Sequence, residues 1–175
     1  ELRQLAIAMN FAVSRLQAIF EEEAARLEDL RHVARCDALT GLANRDFFMS
    51  ELGIALEEQG RTAGIVMLVR VPDLLAINRS LGRYVTDDLL CRFGRALTEE
   101  LAKHDQGMAA RLNGADFAML LPLETDASAV AISLHETIAQ VTRAFFTDQA
   151  AAYIAFARLP VGLDAPEVMM QLASA

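Results

Sequence analysis

Apolar positions at the start of the chain follow a helical rhythm. From Glu1 to about Cys36 no Pro or Gly interrupts the run, and Ala, Leu, Glu and Arg dominate it. Leu2, Leu5, Met9, Ala12, Leu16 and Ile19 alternate spacings of three and four, the mark of a heptad seam. The seam then passes through Glu23 and resumes at Leu27, Leu30 and Ala34, so two spacings of four stand back to back. That insertion is a stutter, which locally unwinds a coiled coil. The pattern predicts one long helix. Such a helix either packs on its own domain or pairs with a second copy, and a strip this long beside a small domain favours the pair.

The remainder alternates between strand-like and helix-like patterns. Asn44 is a natural N-cap for a helix running to about Glu58, after a turn closed by Gly41. Ala63 to Val71 is a short apolar run with β-branched residues, which predicts a buried central strand. Pro72 is expected to open a helix ending near Gly82, and Thr86 to cap the next, with Asp87 and Asp88 in its first turn. Leu89, Leu90, Phe93 and Leu97 share one face of that helix. Two short runs, about Met108 to Leu112 and Asp116 to Leu121, flank Asn113-Gly114, a dipeptide that tolerates positive φ and signals a tight hairpin. Ser128 to about Phe146 is amphipathic, Ala151 to Leu159 reads as a last strand, and Pro166 begins a final helix reaching Ala175. The order βααββαβ predicts a ferredoxin-like α/β sandwich of the α+β kind, with an antiparallel sheet and a long helix in front of it.

Composition narrows the function classes. The 175 residues suffice for one domain plus an appendage, and 54% hydrophobic with 23% charged residues are globular values. A net charge of −8 argues against a nucleic-acid surface. No apolar run approaches the length of a membrane span, and Glu1 opens no signal peptide, so the chain reads as soluble. Cys36 and Cys91 match no metal spacing and read as free, packing thiols. His32 and His135 lie on helices away from any chemical partner, and no Ser/His/Asp or Cys/His arrangement is evident.

Asp37-Ala38-Leu39-Thr40-Gly41-Leu42-Ala43-Asn44-Arg45 agrees at every defined position with Asp-x-Leu-Thr-Gly-Leu-x-Asn-Arg, the entrance motif of GGDEF domains, the diguanylate cyclase fold. From Asp37 to Ala175 the resemblance is continuous. It divides the chain into a helical segment, 1–36, and a GGDEF-like domain, 37–175. The hairpin Asn113-Gly114-Ala115-Asp116-Phe117 resembles the family's Gly-Gly-Asp/Glu-Glu-Phe signature in altered form. Glu1-Leu2-Arg3-Gln4-Leu5-Ala6 with Met9-Asn10 also resembles the second helix of a HAMP module, which implies a membrane segment upstream.

The resemblance implies where chemistry belongs. In an active cyclase the first strand ends in Asp-x-Asp, followed by Phe-Lys-x-x-Asn-Asp-x-x-Gly-His-x-x-Gly-Asp. Anchored on Asn78 and Gly82, the two Asp positions fall on Arg70 and Pro72, and the phosphate-steadying Lys on Leu75. The third signature position, which binds metal and serves the phosphoryl chemistry, is Ala115. Phosphoryl transfer needs metal ions to neutralise the phosphates and align the attacking oxygen. An arginine about 4 Å from a divalent ion opposes it by several kcal/mol at an effective dielectric near 20. Asp116 alone makes a poor Mg²⁺ site. No metal and no cofactor is therefore expected, and no cyclase activity.

Asn78 and Asp87 stand where the family hydrogen-bonds the guanine edge, although Asn78 also suits a helix end and Asp87 a helix's first turn. Arg70 and Arg83 are candidates to offer charge to phosphates without metal. The family's product-inhibition motif, Arg-x-x-Asp, is replaced by His104-Asp105-Gln106-Gly107, a polar loop in which His104 reads as a surface residue. Together these features resemble LapD-type receptors, in which a degenerate GGDEF domain precedes a degenerate EAL domain that binds cyclic di-GMP. The implied protein is a homodimer through the signal helix, the cytoplasmic portion of a bacterial inner-membrane protein, relaying conformation to an EAL-type neighbour. The alternatives are a GTP-sensing module without turnover and a weak cyclase with a displaced metal.

Overall fold

The computed structural model describes residues 2–57, 64–143, 145, 152–159 and 164–174, with side-chain surroundings from Ser14 onward. Packing divides the chain into Glu1–Arg35 and Cys36–Ala175. The first unit is a single helix, α1 (Leu2–Arg35). Leu2, Leu5 and Met9 lie within it, and every side chain from Ser14 to Arg35 is exposed, the later seam residues Leu16, Ile19, Leu27 and Leu30 included. Glu1, Glu58, Ala63, Phe146, Ala151 and Ala175, where the sequence places element ends, lie outside the described residues.

The second unit runs β1 (Ala43–Asn44), α2 (Arg45–Glu57), β2 (Ile65–Arg70), α3 (Leu74–Leu81), α4 (Arg83–Leu101), β3 (Met108–Arg111), β4 (Asp116–Leu121), α5 (Ala127–Thr142), β5 (Tyr153–Arg158) and α6 (Ala165–Ser174). From β2 to β5 this is the expected βααββαβ order. The sheet order is β1-β3-β4-β2-β5. Pairings β2–β4, β2–β5 and β3–β4 are antiparallel, but β1 runs parallel to β3, so the sheet is mixed rather than wholly antiparallel. The departure is local: a turn over Asp37–Leu42 leaves Ala43–Asn44 running beside β3 in the same direction before α2 begins.

β2 is buried on both faces, as a central strand must be. Ile65, Met67 and Val69 pack with residues of α3, α4 and α5, including Ile77, Leu89, Phe93, Leu97, Leu134 and Ile138. Val66 and Leu68 pack on the opposite side with Phe48 and Leu52 of α2 and with Val168 and Leu172 of α6. Phe93 stacks on Phe117 at 5.9 Å between ring centroids, which ties α4 to β4. Full burial of each such side chain contributes about 1.5–3 kcal/mol.

Helix starts follow local chemistry, with three corrections. Asn44 caps α2 as expected, its Oδ1 accepting from the Phe47 amide at 3.0 Å. Pro72 lies in a turn, and α3 is capped instead by Asp73, whose backbone is left-handed (φ 46°). α4 starts at Arg83, earlier than Thr86, because Gly82 at φ 79° reverses the chain directly between the two helices. Thr86 is therefore inside α4 and its hydroxyl donates back to the Gly82 carbonyl at 3.0 Å, while Asp87 and Asp88 fall beyond the first turn. Asp126 caps α5, one residue ahead of the predicted start, through the Ser128 and Ala129 amides, and α5 ends at Thr142.

Candidate functional site

The hairpin between β3 and β4 closes differently from the Asn-Gly turn its sequence suggests. Neither Asn113 nor Gly114 has positive φ. The Asn113 side chain makes the turn instead, its Oδ1 accepting from the amides of Ala115 and Asp116, both at 3.0 Å. Its Nδ2 donates to Asp116 Oδ2 at 2.8 Å. Asparagine thus serves here as a turn-builder by hydrogen bonding.

β2 and β4 place Arg70 directly opposite Asp116. The guanidinium takes the carboxylate in a fork, Nε to Oδ1 at 2.6 Å and Nη2 to Oδ2 at 3.2 Å. Burial alone pushes the Asp116 carboxyl up, but hydrogen bonds from Arg70 and Asn113 and the charge of Arg70 outweigh it, so the group sits below its usual range. The bond and charge of Asp116 in turn raise Arg70. Ala115 adds only a methyl group, although its carbonyl accepts from the Val71 amide at 2.9 Å. Arg70 therefore holds a protein carboxylate through Nε and Nη2.

These residues do not fit the divalent metal that the sequence resemblance brings to mind. Arg70 brings a cation, Pro72 and Ala115 bring no side-chain oxygen, and Asp116 is bonded to Arg70. Among the described residues, no group of three or more His, Cys, Asp or Glu is arranged to hold a metal ion.

A second clamp lies behind the hairpin. Arg111 donates to the carbonyls of Asn113 and Gly114, each at 3.1 Å, and to the Asp37 carboxylate at 3.2 Å. Asp37 also accepts from the Thr40 amide (2.9 Å) and hydroxyl (2.7 Å). Burial pushes the Asp37 carboxyl up, but the Thr40 hydrogen bonds and Arg111 bring it below the usual range. The entrance motif and the signature hairpin, far apart in sequence, are thereby tied together.

Asn78 and Asp87 do meet. With Leu74, Arg83, Thr86, Leu90 and Arg111 they line an open cleft of about 300 Å³ between α3, α4 and β3. Asn78 is exposed, and it is its carbonyl that receives the Gly82 amide at the helix end, so its side chain is left to the cleft. Asp87 lies 3.6 Å from Arg83. Leu75, on the first turn of α3, is exposed. His104 departs from expectation: its ring is only 20% exposed and its Nε2 is buried 4.0 Å from Glu100 Oε1, because Glu100 is itself buried against Lys103 and Ser133. Cys36 and Cys91 are unbridged, and the Cys91 thiol donates to the Leu39 carbonyl.

A mixed sheet in βααββαβ order with helices on both faces, a β3–β4 hairpin and a polar cleft beside it define an α+β sandwich domain. The model of the diguanylate cyclase GGDEF domain matches residues 34–165, and the chain belongs to the GGDEF family. Diguanylate cyclase TpbB of Pseudomonas aeruginosa is 34% identical over 140 residues, 76% of this chain and 31% of TpbB. The RNase E specificity factor CsrD of Escherichia coli is 35% identical over 107 residues, 59% of this chain and 17% of CsrD. The chain thus spans less than a third of either relative. Among solved structures, the coiled coil and GGDEF domain of DgcB from Caulobacter crescentus, in complex with c-di-GMP, is 26% identical with a TM-score of 0.78, covering 95% of this chain and 91% of that one. The S helix-GGDEF-EAL structure of LapD from Vibrio cholerae shares the fold at 19% identity and a TM-score of 0.70, covering 89% of this chain and 36% of that one.

Proposed function

We propose that this GGDEF domain has lost cyclic di-GMP synthesis and acts as a regulatory module, relaying conformation from the preceding helix to a neighbouring domain. The observation that carries this reading is the Arg70–Asp116 fork, which puts a side-chain cation where metal-assisted phosphoryl transfer requires a divalent ion. Residues 37–175 form the module and 1–36 the signal helix. Pairing of that helix with a second copy is supported by its exposed apolar seam and by the coiled coil of the similar DgcB structure. A HAMP-type origin of the helix, a bacterial inner-membrane anchor upstream and an EAL-type neighbour extend the same reading, the last supported by the domain order of LapD. In this scheme the polar residue Glu23 weakens the seam, so the helices exchange between a state paired in a dimer and a state docked on neighbouring domains.

The test is incubation of the chain with GTP and Mg²⁺ or Mn²⁺. The reading expects no cyclic dinucleotide, and product above a no-protein control overturns it.

A second reading is favoured by one observation: Asn78 and Asp87 face a common cleft with Arg83. The module would then bind a guanine nucleotide without turnover and tune a neighbouring phosphodiesterase. Calorimetry with GTP separates the two, because this reading expects heat that Asn78→Ala removes and that does not depend on Mg²⁺. No heat at millimolar GTP discards it.

A further inference from the structure

Arg70 is held on one side only. The fork to Asp116 uses its Nε–Nη2 edge. Its other edge, a parallel pair of N–H groups on Nη1 and Nη2, makes no hydrogen bond within the described residues, and such an edge takes a carboxylate in two bonds. Asp116 stands on β4, and β5 flanks β2 on the other side, with Tyr153 directly opposite Arg70. Asp116, Arg70 and Tyr153 thus form one row across three strands, on one face of the sheet.

On that face Arg70 also lines an open trough of about 490 Å³, a volume ordinary for small-molecule sites. Leu68 and Ala155, paired across β2 and β5, lie along its floor, and Leu172 and Ala173 of α6 form a wall. The space exists because two of these side chains are single methyl groups. Among the described residues that line it, Arg70 is the one that carries charge. The cleft of Asn78 and Asp87 lies with α3 and α4, against the other face of the sheet.

The charges choose the guest. A monoanion can share the guanidinium with Asp116, whereas a more highly charged anion is opposed by Asp116 and by a chain of net charge −8. The Arg70 side chain is 41% exposed, so water competes for its free edge and an apolar body must add affinity. The fork already fixes the guanidinium, which lowers the entropy lost on binding.

We propose that this trough binds a small aryl carboxylate, its carboxylate on the Nη1–Nη2 edge of Arg70 and its ring beside Tyr153 over Leu68 and Ala155. Such a ligand bears on the residue that neutralises Asp116 in the hairpin, and the site stands whether or not the domain makes cyclic di-GMP.

The experiment is calorimetry of the chain with 2-naphthoate and with its uncharged amide, 2-naphthamide. The acid is expected to bind at least about tenfold more tightly than the amide. Tyr153→Asp, on an exposed side chain of the last strand of the sheet, sets a carboxylate against the same guanidinium edge. It is expected to keep the fold, read by circular dichroism, and to lower naphthoate affinity at least about tenfold. Arg70→Gln is expected to do the same, and if that variant does not fold, Tyr153→Asp decides. No heat at millimolar naphthoate, equal affinity for acid and amide, or binding unmoved in folded Tyr153→Asp overturns the site.

Discussion

The two ends of the site have different histories written in their side chains. At one end, Arg70, Pro72 and Ala115 supply no carboxylate, and Asp116 is tied to Arg70 at 2.6 Å. At the other, Asn78 and Asp87 still face a common cleft beside Arg83 and Arg111. The first end rests on β2 and β4 and the second on α3, α4 and β3, with the Asn113 turn and the Arg111–Asp37 clamp hydrogen-bonded between them. A guanidinium can thus neutralise the hairpin carboxylate while the turn keeps its hydrogen bonds. An isolated buried carboxylate would not be tolerated, and Arg70 removes that penalty.

The largest effect expected from perturbing this comparison comes from beneath both ends. Phe117 is fully buried and stacks on Phe93, so Phe117→Ala should cost about 3–5 kcal/mol and abolish both ends together, read by chemical denaturation. Asp116→Ala should act on one end alone. It strips Arg70 and Asn113 of their acceptor, and since the Arg70 side chain is 41% exposed the cost is discounted to about 1–2 kcal/mol in the same denaturation measurement. GTP binding at the Asn78 cleft should be unchanged in that variant.

Acid should separate the ends more gently. Asp37 and Asp116 bind protons less readily folded than unfolded, so their stabilisation is complete above the ordinary carboxyl range near about 4 and is lost as pH falls through their lowered values. Thermal unfolding from pH 7 to pH 3 should therefore fall less steeply in Asp116→Asn than in the unaltered chain. Smallest is Arg83→Ala, on an exposed side chain 3.6 Å from Asp87, which should change stability by no more than about 0.5 kcal/mol. Calorimetry on this variant is informative in another way: if the cleft takes GTP, affinity should drop although stability does not.

How much of this was legible in the sequence depends on the range of the interactions. The Asn44 cap is a contact three residues long and was readable from residue type. The central strand β2 was readable because it is a short, wholly apolar run, and it is buried on both faces. The Asn113 turn was located but misread, since an asparagine before glycine favours positive φ only when its own side chain does not bond the turn amides. Thr86 was misplaced because a glycine at φ 79° starts α4 a turn early, and residue types do not state a φ. The parallel β1, the Arg70–Asp116 fork and the burial of His104 were out of reach. The first two depend on segments brought together by the fold, 46 residues apart in the case of the fork, and local patterns carry no register between strands, whereas His104 is covered beside Glu100, one turn away, which Ser133 of α5 holds.

The central claim, that Arg70 has taken the place of a divalent metal, is tested most directly by titrating the chain with Mn²⁺ and following the free-ion signal by electron paramagnetic resonance. The account predicts that, with no nucleotide present, all added Mn²⁺ stays free at concentrations up to about millimolar. Loss of one equivalent of signal, reversed by Mg²⁺ and absent in Asp116→Ala, would contradict it.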